Sequence, residues 1–290
     1  MNPTAGSFTI NPRLQRHFGV FAVSFPGVDA LESIYKQIYE MHLSYNKFNP
    51  SVQKTVEPLV KAALAVHTKV ASTFLPTAVK FHYIFNLRDL SNIFQGVLFS
   101  TPEVFKSPVQ MYKLYMHEAT RVYHDKLTEE KDIEAFNNLL TDICKKTFED
   151  VEAEELFVNP NKFCHFAKGV GEPKYDQVAS WESINQVLVE TLGSYNDVNA
   201  AMNLVLFEDA MSHVLRINRI LEMPRGNALL VGVGGSGKQS LSRLAAFISG
   251  ELILRLNKTG SPGKQLLWIC IRLGWKMKKI FLRNNFGQML

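Results

Sequence analysis

The run Gly232-Val233-Gly234-Gly235-Ser236-Gly237-Lys238-Gln239-Ser240 has the residue types and spacing to grip a polyphosphate. Gly232, Gly237 and Lys238 stand in the G-x-x-x-x-G-K pattern. Glycines let backbone N–H groups turn inward without Cβ clashes, and the positive end of a following helix meets the same anion. Lys238 adds a point charge for the β- and γ-phosphates. One position departs from the pattern. Where a Ser or Thr would hold Mg²⁺ stands Gln239, and Ser240 comes one residue late. A helical step of about 100° turns its hydroxyl away from a metal unless the loop shifts. Cleaving the phosphate would also need acidic residues on a second strand, to hold Mg²⁺ and polarise water. Glu251 is the only Asp or Glu after Lys238. The pattern therefore points to nucleotide binding, with ATP or ADP as cofactor, more than to metal-assisted hydrolysis. Ser240 is the one weak candidate for Mg²⁺, and no catalytic residue emerges.

A phosphate cradle needs a strand before it and a helix after it. Asn227-Ala-Leu-Leu-Val-Gly reads as a short buried strand, and Leu241-Ser-Arg-Leu-Ala-Ala-Phe-Ile as a helix with apolar residues at helical spacing. Upstream, Trp181 to Leu192 and roughly Asp197 to Leu221 read as two helices. Residues 150–175 read as acidic and aromatic loop, with a domain boundary near Gly169-Val-Gly-Glu-Pro173.

The segment before that boundary is helical. Asp29 can cap Ala30 to Tyr45, with Leu31, Ile34, Ile38 and Met41 on one face. Ser51 can cap a helix to about Thr73, with Val56, Leu59, Val60, Ala63 and Val66 inward. Leu87 to Leu98 forms another, and helices continue over 107–148. Glu118, Arg121 and Asp125 fall at i, i+3 and i+7, which predicts an ion-pair ladder on an exposed or inter-domain face. Phe18 to Phe25 reads as a buried strand that needs neighbours on both sides.

The chain of 290 residues suggests one to two domains, and 46% hydrophobic with 20% charged residues supports a packed core. Cys144, Cys164 and Cys270 form no metal-ligand or C-x-x-C pattern, which reads as reduced thiols of a cytosolic protein. No apolar run reaches the ~20 residues that span a bilayer, so no membrane partner is expected. Residues 251–290 carry eight basic residues and one acidic, net +7; the whole chain is +5, so residues 1–250 carry −2. This tail, with Trp268, Trp275, Phe281 and Phe286, could bind nucleic acid or an anionic surface. Its abrupt onset in mid-domain favours alternative splicing or a misjoined gene instead, and no nucleic acid is expected.

Four stretches carry a resemblance to a known family: Met1-Asn-Pro-Thr-Ala-Gly-Ser-Phe-Thr-Ile-Asn-Pro-Arg-Leu-Gln-Arg-His-Phe, Tyr83-Ile-Phe-Asn-Leu-Arg-Asp-Leu-Ser-Asn-Ile-Phe-Gln-Gly, His117-Glu-Ala-Thr-Arg-Val-Tyr, and Gly226 to Ser240. Over about residues 1–250 the chain resembles an axonemal dynein heavy chain, between the third and fourth of its six AAA+ modules. The Gln239-Ser240 ending is itself typical of the fourth module. The resemblance implies α/β pieces of P-loop AAA+ modules joined by an α-helical lid subdomain. Residues 1–28 would end one large subdomain, 29–148 form its lid, 149–250 begin the next module, and 251–290 lie outside the match. It places Asn2 at the sensor-I position, Arg16 at the arginine finger and Arg88 at sensor II. Without the third module's own phosphate loop, Arg16 and Arg88 are expected to be surface cations. The family is an ATP-driven microtubule motor of cilia, so the implied location is cytoplasm, cytoskeleton and axoneme. The implied partners are other heavy-chain modules and dynein subunits, with microtubules reached only through a stalk outside this chain. Hydrolysis and motility are not expected of these residues alone. The alternative is a non-enzymatic assembly fragment or truncated product.

Overall fold

The computed structural model describes residues 11–19, 21, 23–148, 151–157, 160–171, 173–224, 226–230, 235–250, 253–254 and 268–271. Helices dominate. α1 (Pro12–Gln15) is one turn, capped by the Asn11 side chain. α2 (Val28–Tyr45), α3 (Pro50–Gln53), α4 (Val56–Thr73), α5 (Leu87–Val97), α6 (Pro108–Val122) and α7 (Glu130–Thr147) follow. α8 (Ala153–Leu156) and a small antiparallel ribbon, β1 (Phe163–Cys164) with β2 (Asp176–Gln177), lead to α9 (Trp181–Val198) and α10 (Glu208–Glu222). β3 (Asn227–Leu230) then precedes α11 (Lys238–Ile248), and β4 (Ile253–Leu254) and β5 (Trp268–Ile271) complete the order.

Local chemistry sets the helix starts. Asn86 and Asp89 form a reciprocal capping box on α5: the Arg88 amide donates to Asn86, and the Asn86 amide to Asp89 at 3.0 Å. On α6, Pro108 occupies the first turn and the Gln110 side chain accepts from the Ser107 amide at 3.2 Å. Ser180 and Ser183 cap α9 in the same reciprocal way. Two apolar cores result. The first joins Tyr39, Leu43, Leu59, Val66, Leu90, Ile93, Tyr115 and Phe136 from α2 to α7. The second joins Ile184, Leu188, Val214, Leu221, Leu244 and Ala245 from α9 to α11. The ribbon is shared: Phe163 and Tyr175 belong to the first core, Cys164 and Phe166 to the second.

Several expectations are corrected. α2 begins at Val28, and it buries Leu31, Tyr35, Tyr39 and Leu43, leaving Ile34, Ile38 and Met41 exposed. The tyrosines win because their hydroxyls find partners: Tyr35 with Ser91 at 2.8 Å and Tyr39 with Thr55 at 3.2 Å. Ser51 caps nothing; it lies inside α3, and α4 starts after Thr55. The five residues expected inward on α4 are all buried. α10 begins at Glu208 rather than near Asp197, because α9 runs on to Val198 and Asn196 then holds Met202 by both its backbone groups. Phe18, Phe21, Val23 and Phe25 form no strand among the described residues and stand exposed, Val23 at 92%. The three-stranded sheet has the order β3-β5-β4, with both pairings antiparallel, so β3 is partnered from the basic tail.

Candidate functional site

The described part of the phosphate loop is Gly235 to Ser240; Gly232, Val233 and Gly234 lie outside the described residues, as does Asn2. Gly235 and Gly237 hold φ of +80° and +71°, the left-handed region that L side chains rarely adopt. Gly237 is also the N-cap of α11, whose first residue is Lys238. Among the described residues, a Cβ at Gly235 would meet nothing within 4 Å. The Lys238 ammonium folds back over the loop and donates to the Ser236 hydroxyl at 2.8 Å. Gln239 and Ser240 sit half-buried in the first turn. Gln239 turns its amide toward the Arg243 guanidinium. The positive end of α11 and the Lys238 ammonium are thus brought together in the described part of the loop.

α11 is held there by burial. Leu241, Leu244, Ala245 and Ile248 pack into the second core beside α10, and Asn218 of α10 donates to Ser249 at 2.8 Å. α10 in turn reaches β3 through a tight turn in which the Gly226 amide donates to Met223 at 2.9 Å. A Cβ at Gly226 would lie 1.6 Å from the Ile220 carbonyl oxygen.

Of the ladder expected on α6 only the Arg121–Asp125 step forms; Glu118 is buried and pairs instead with Arg219 of α10. Glu118 is 0% exposed. Its carboxylate accepts from Arg219 Nε at 3.0 Å, from the same guanidinium's Nη2, and from the Tyr175 hydroxyl at 2.5 Å. Asp125 is shared by Arg121 at 3.3 Å and Arg216 at 3.5 Å. Burial opposes the Arg219 charge, yet Glu118 outweighs it and holds this guanidinium above its ordinary pKa. Burial would raise Asp125, but His124, Arg121 and Arg216 bring it below the usual carboxylate range. Burial, with Arg121 and Arg216, pushes Lys162 down to about 8. Arg216 and Arg219 were not singled out from sequence. The available signal was two arginines three apart among the buried Val214, Leu215, Ile217 and Leu221, a placement that demands buried acids.

His117, next to that carboxylate, is held well below its ordinary value by burial, then by Arg121, Arg219 and Lys162. Its Nδ1–H donates to the Asn161 carbonyl at 3.2 Å, and the downward shift favours the neutral ring in the folded chain. The unfolded state therefore binds the extra proton once pH falls below the ordinary histidine range. The contribution of this ring should be constant above about pH 7 and fall below about 6.5, by up to roughly 1.4 kcal/mol per pH unit. Urea unfolding at pH 7.5, 6.5 and 5.5 checks this, and His117→Gln should reduce the dependence, the remainder coming from His42, His67 and His213, which burial also lowers.

The remaining sequence candidates lie elsewhere. Arg16 is exposed in the turn after α1, its Nε 3.4 Å from His17 Nε2, and Arg88 is exposed in the first turn of α5. Among the described residues neither makes a hydrogen bond or ion pair with the loop. Cys144 and Cys164 are free and buried, and burial pushes both thiols up to about 12. Among the described residues no His, Cys, Asp and Glu cluster could hold a metal ion, and no helix is long and apolar enough to cross a membrane.

Comparison with known proteins matches residues 59–158 to the AAA+ lid domain and residues 202–261 to the "P-loop containing dynein motor region D4". The sequence is 58% identical to dynein axonemal heavy chain 9 of Homo sapiens over 98% of this chain, and 62% identical to human dynein axonemal heavy chain 17 over 86%. It is 52% identical to the dynein alpha chain of the flagellar outer arm of Chlamydomonas reinhardtii over 90%. The chain belongs to the axonemal dynein heavy-chain family. It spans about 6% of the length of these relatives. The lid match covers α4 to α8, and the dynein D4 match starts before α10 and takes in the loop and α11. The Glu118–Arg219 pair therefore joins the lid-matched segment to the D4-matched one.

Proposed function

We propose that this chain carries the nucleotide-binding loop of an axonemal dynein motor module, working in the cilium as part of a heavy chain that moves on microtubules. The observation that carries the reading is the pair of left-handed glycines, Gly235 and Gly237, leading directly into Lys238 at the start of α11. On this reading the amides of residues 232–238 cradle the phosphates of ATP or ADP, and Lys238 neutralises them. If Mg²⁺ accompanies the nucleotide, Ser240 is the hydroxyl that the first turn offers. Among these residues Glu251 is the only carboxylate after Lys238, so we assign binding and not hydrolysis to this chain. Its partners are then the other modules of the heavy chain and the dynein complex.

Calorimetry with a non-cleavable ATP analogue tests the assignment. Wild-type chain should bind, and Lys238→Ala should weaken binding about 10- to 100-fold, the worth of one charge-assisted contact. Equal heats from both proteins would remove the loop from consideration. A second reading, assembly without nucleotide, draws support from the exposed Phe18, Phe21 and Phe25 and from the stripe Ile34, Ile38 and Met41 on α2. It predicts no heat with any nucleotide.

A further inference from the structure

We propose that Glu118, Arg219 and Tyr175 form a coupling node through which the lid helices sense nucleotide at the Gly235–Lys238 loop; this rests on the reading that the loop binds nucleotide. The node has contacts on three sides. α6 supplies Glu118, α10 supplies Arg219, and the ribbon segment supplies Tyr175. α5 closes the fourth side, because a Cβ at Gly96 would come within 1.7 Å of the Glu118 carboxylate. Only glycine lets α5 approach that closely.

The placement matters more than the strength. A buried ion pair surrenders two hydration shells, and well-packed apolar residues in its place are often as stable. What the pair does is fix one register between α6 and α10, since displacement would strand a charge without a partner. Asp125, in the turn just after α6 and held between Arg121 and Arg216, repeats the constraint. From Arg219 the path to the loop is short and stiff. α10 ends at Glu222, the Gly226 turn is jammed against the Ile220 carbonyl, and β3 follows at once, ending at Leu230, five residues before Gly235. α11 is tied to the same helix through Asn218 and Ser249. A rearrangement of the loop on taking up phosphate must therefore shift α10 or be resisted by it, and α6 follows α10. Glu118 and Arg219 are positioning residues; neither needs to touch the nucleotide.

Coupling between two sites is reciprocal, and a purely structural pair would not show it. The test is hydrogen exchange of the 290-residue chain with and without a non-cleavable ATP analogue. In the wild type, nucleotide should slow exchange in α11 and also in α5 and α6. Glu118→Met/Arg219→Leu removes both charges together, so it should keep a cooperative melt and still protect α11. Its α5 and α6 amides should no longer respond, and its affinity should shift by about fivefold or more. A double variant whose lid response matches the wild type overturns the node, as does wild-type protection confined to residues 226–250. If wild type shows no nucleotide response anywhere, the loop assignment itself fails. The node is then judged without ligand: the double variant should exchange faster across 227–230 and 238–248, and unchanged rates there overturn it.

Discussion

Glu118→Gln will cost the folded chain about 3–5 kcal/mol. The substitution keeps the shape of the side chain and removes its charge, so it leaves the Arg219 guanidinium buried without a counter-ion. Arg219 is only 6% exposed and cannot recover solvent without pulling α10 off α6. Tyr175 aggravates the loss. Burial, then Glu118, pushes its phenol well above the ordinary range, so it stays a donor that expects an anion. Urea unfolding followed by far-UV circular dichroism reads the effect as a lower midpoint at unchanged slope. Glu118→Met/Arg219→Leu should recover most of the loss, which separates an orphaned charge from damaged packing. Tyr175→Phe should cost less, about 1.5–3 kcal/mol for one hydrogen bond to a charged group. A Glu118→Gln variant within 1 kcal/mol of wild type would mean that water reaches Arg219 and that the junction is not sealed.

What could be read from the chain, and what could not, follows from whether the deciding partner was near in sequence. Of the loop, the turn into α11 was legible: Gly235 and Gly237 take the left-handed backbone that glycine favours and Lys238 opens the helix, while Gly232 lies outside the described residues. The Arg121–Asp125 pair at the end of α6 was legible as spacing, and Glu118 as a charge on the same helix. The burial of Glu118 was not, because the arginine that seals it lies about a hundred residues on, in α10. On α2 two apolar stripes run side by side, and hydrophobicity alone selects the isoleucines. The choice falls to Tyr35 and Tyr39 through hydroxyl partners on α5 and before α4, which no local pattern reveals. The stretch Phe18 to Phe25 has strand composition, yet a strand needs a neighbouring edge, and none pairs with it among the described residues. The partner of β3 was equally hidden. It is β5, some forty residues downstream in a segment whose charge drew attention away from its Trp-Ile-Cys-Ile run.

Gly226→Ala should be the most damaging single change near the loop, and a sharp contrast with alanine at another glycine. A Cβ at Gly226 would sit 1.6 Å from the Ile220 carbonyl oxygen, 2.7 Å from its carbon and 3.1 Å from the Met223 oxygen. These are backbone atoms at the end of α10, so no rotamer change relieves the clash. β3 must move away from α10, and the loop moves with it. A loss of about 3 kcal/mol or more is expected, in the range of severe overpacking. If the loop binds nucleotide, affinity should fall by at least tenfold, about 1.4 kcal/mol, even though residue 226 touches no phosphate. Gly193 is the control. It lies exposed within α9, and a Cβ there meets nothing within 4 Å. Gly193→Ala should therefore stabilise by about 0.5–1 kcal/mol, because alanine gives up less backbone freedom in a helix. Thermal melts and calorimetry on the two variants give opposite signs for the same chemical change. Equal, small effects at both positions would mean that the turn after α10 is loose, and that β3 and the loop are not positioned by that helix.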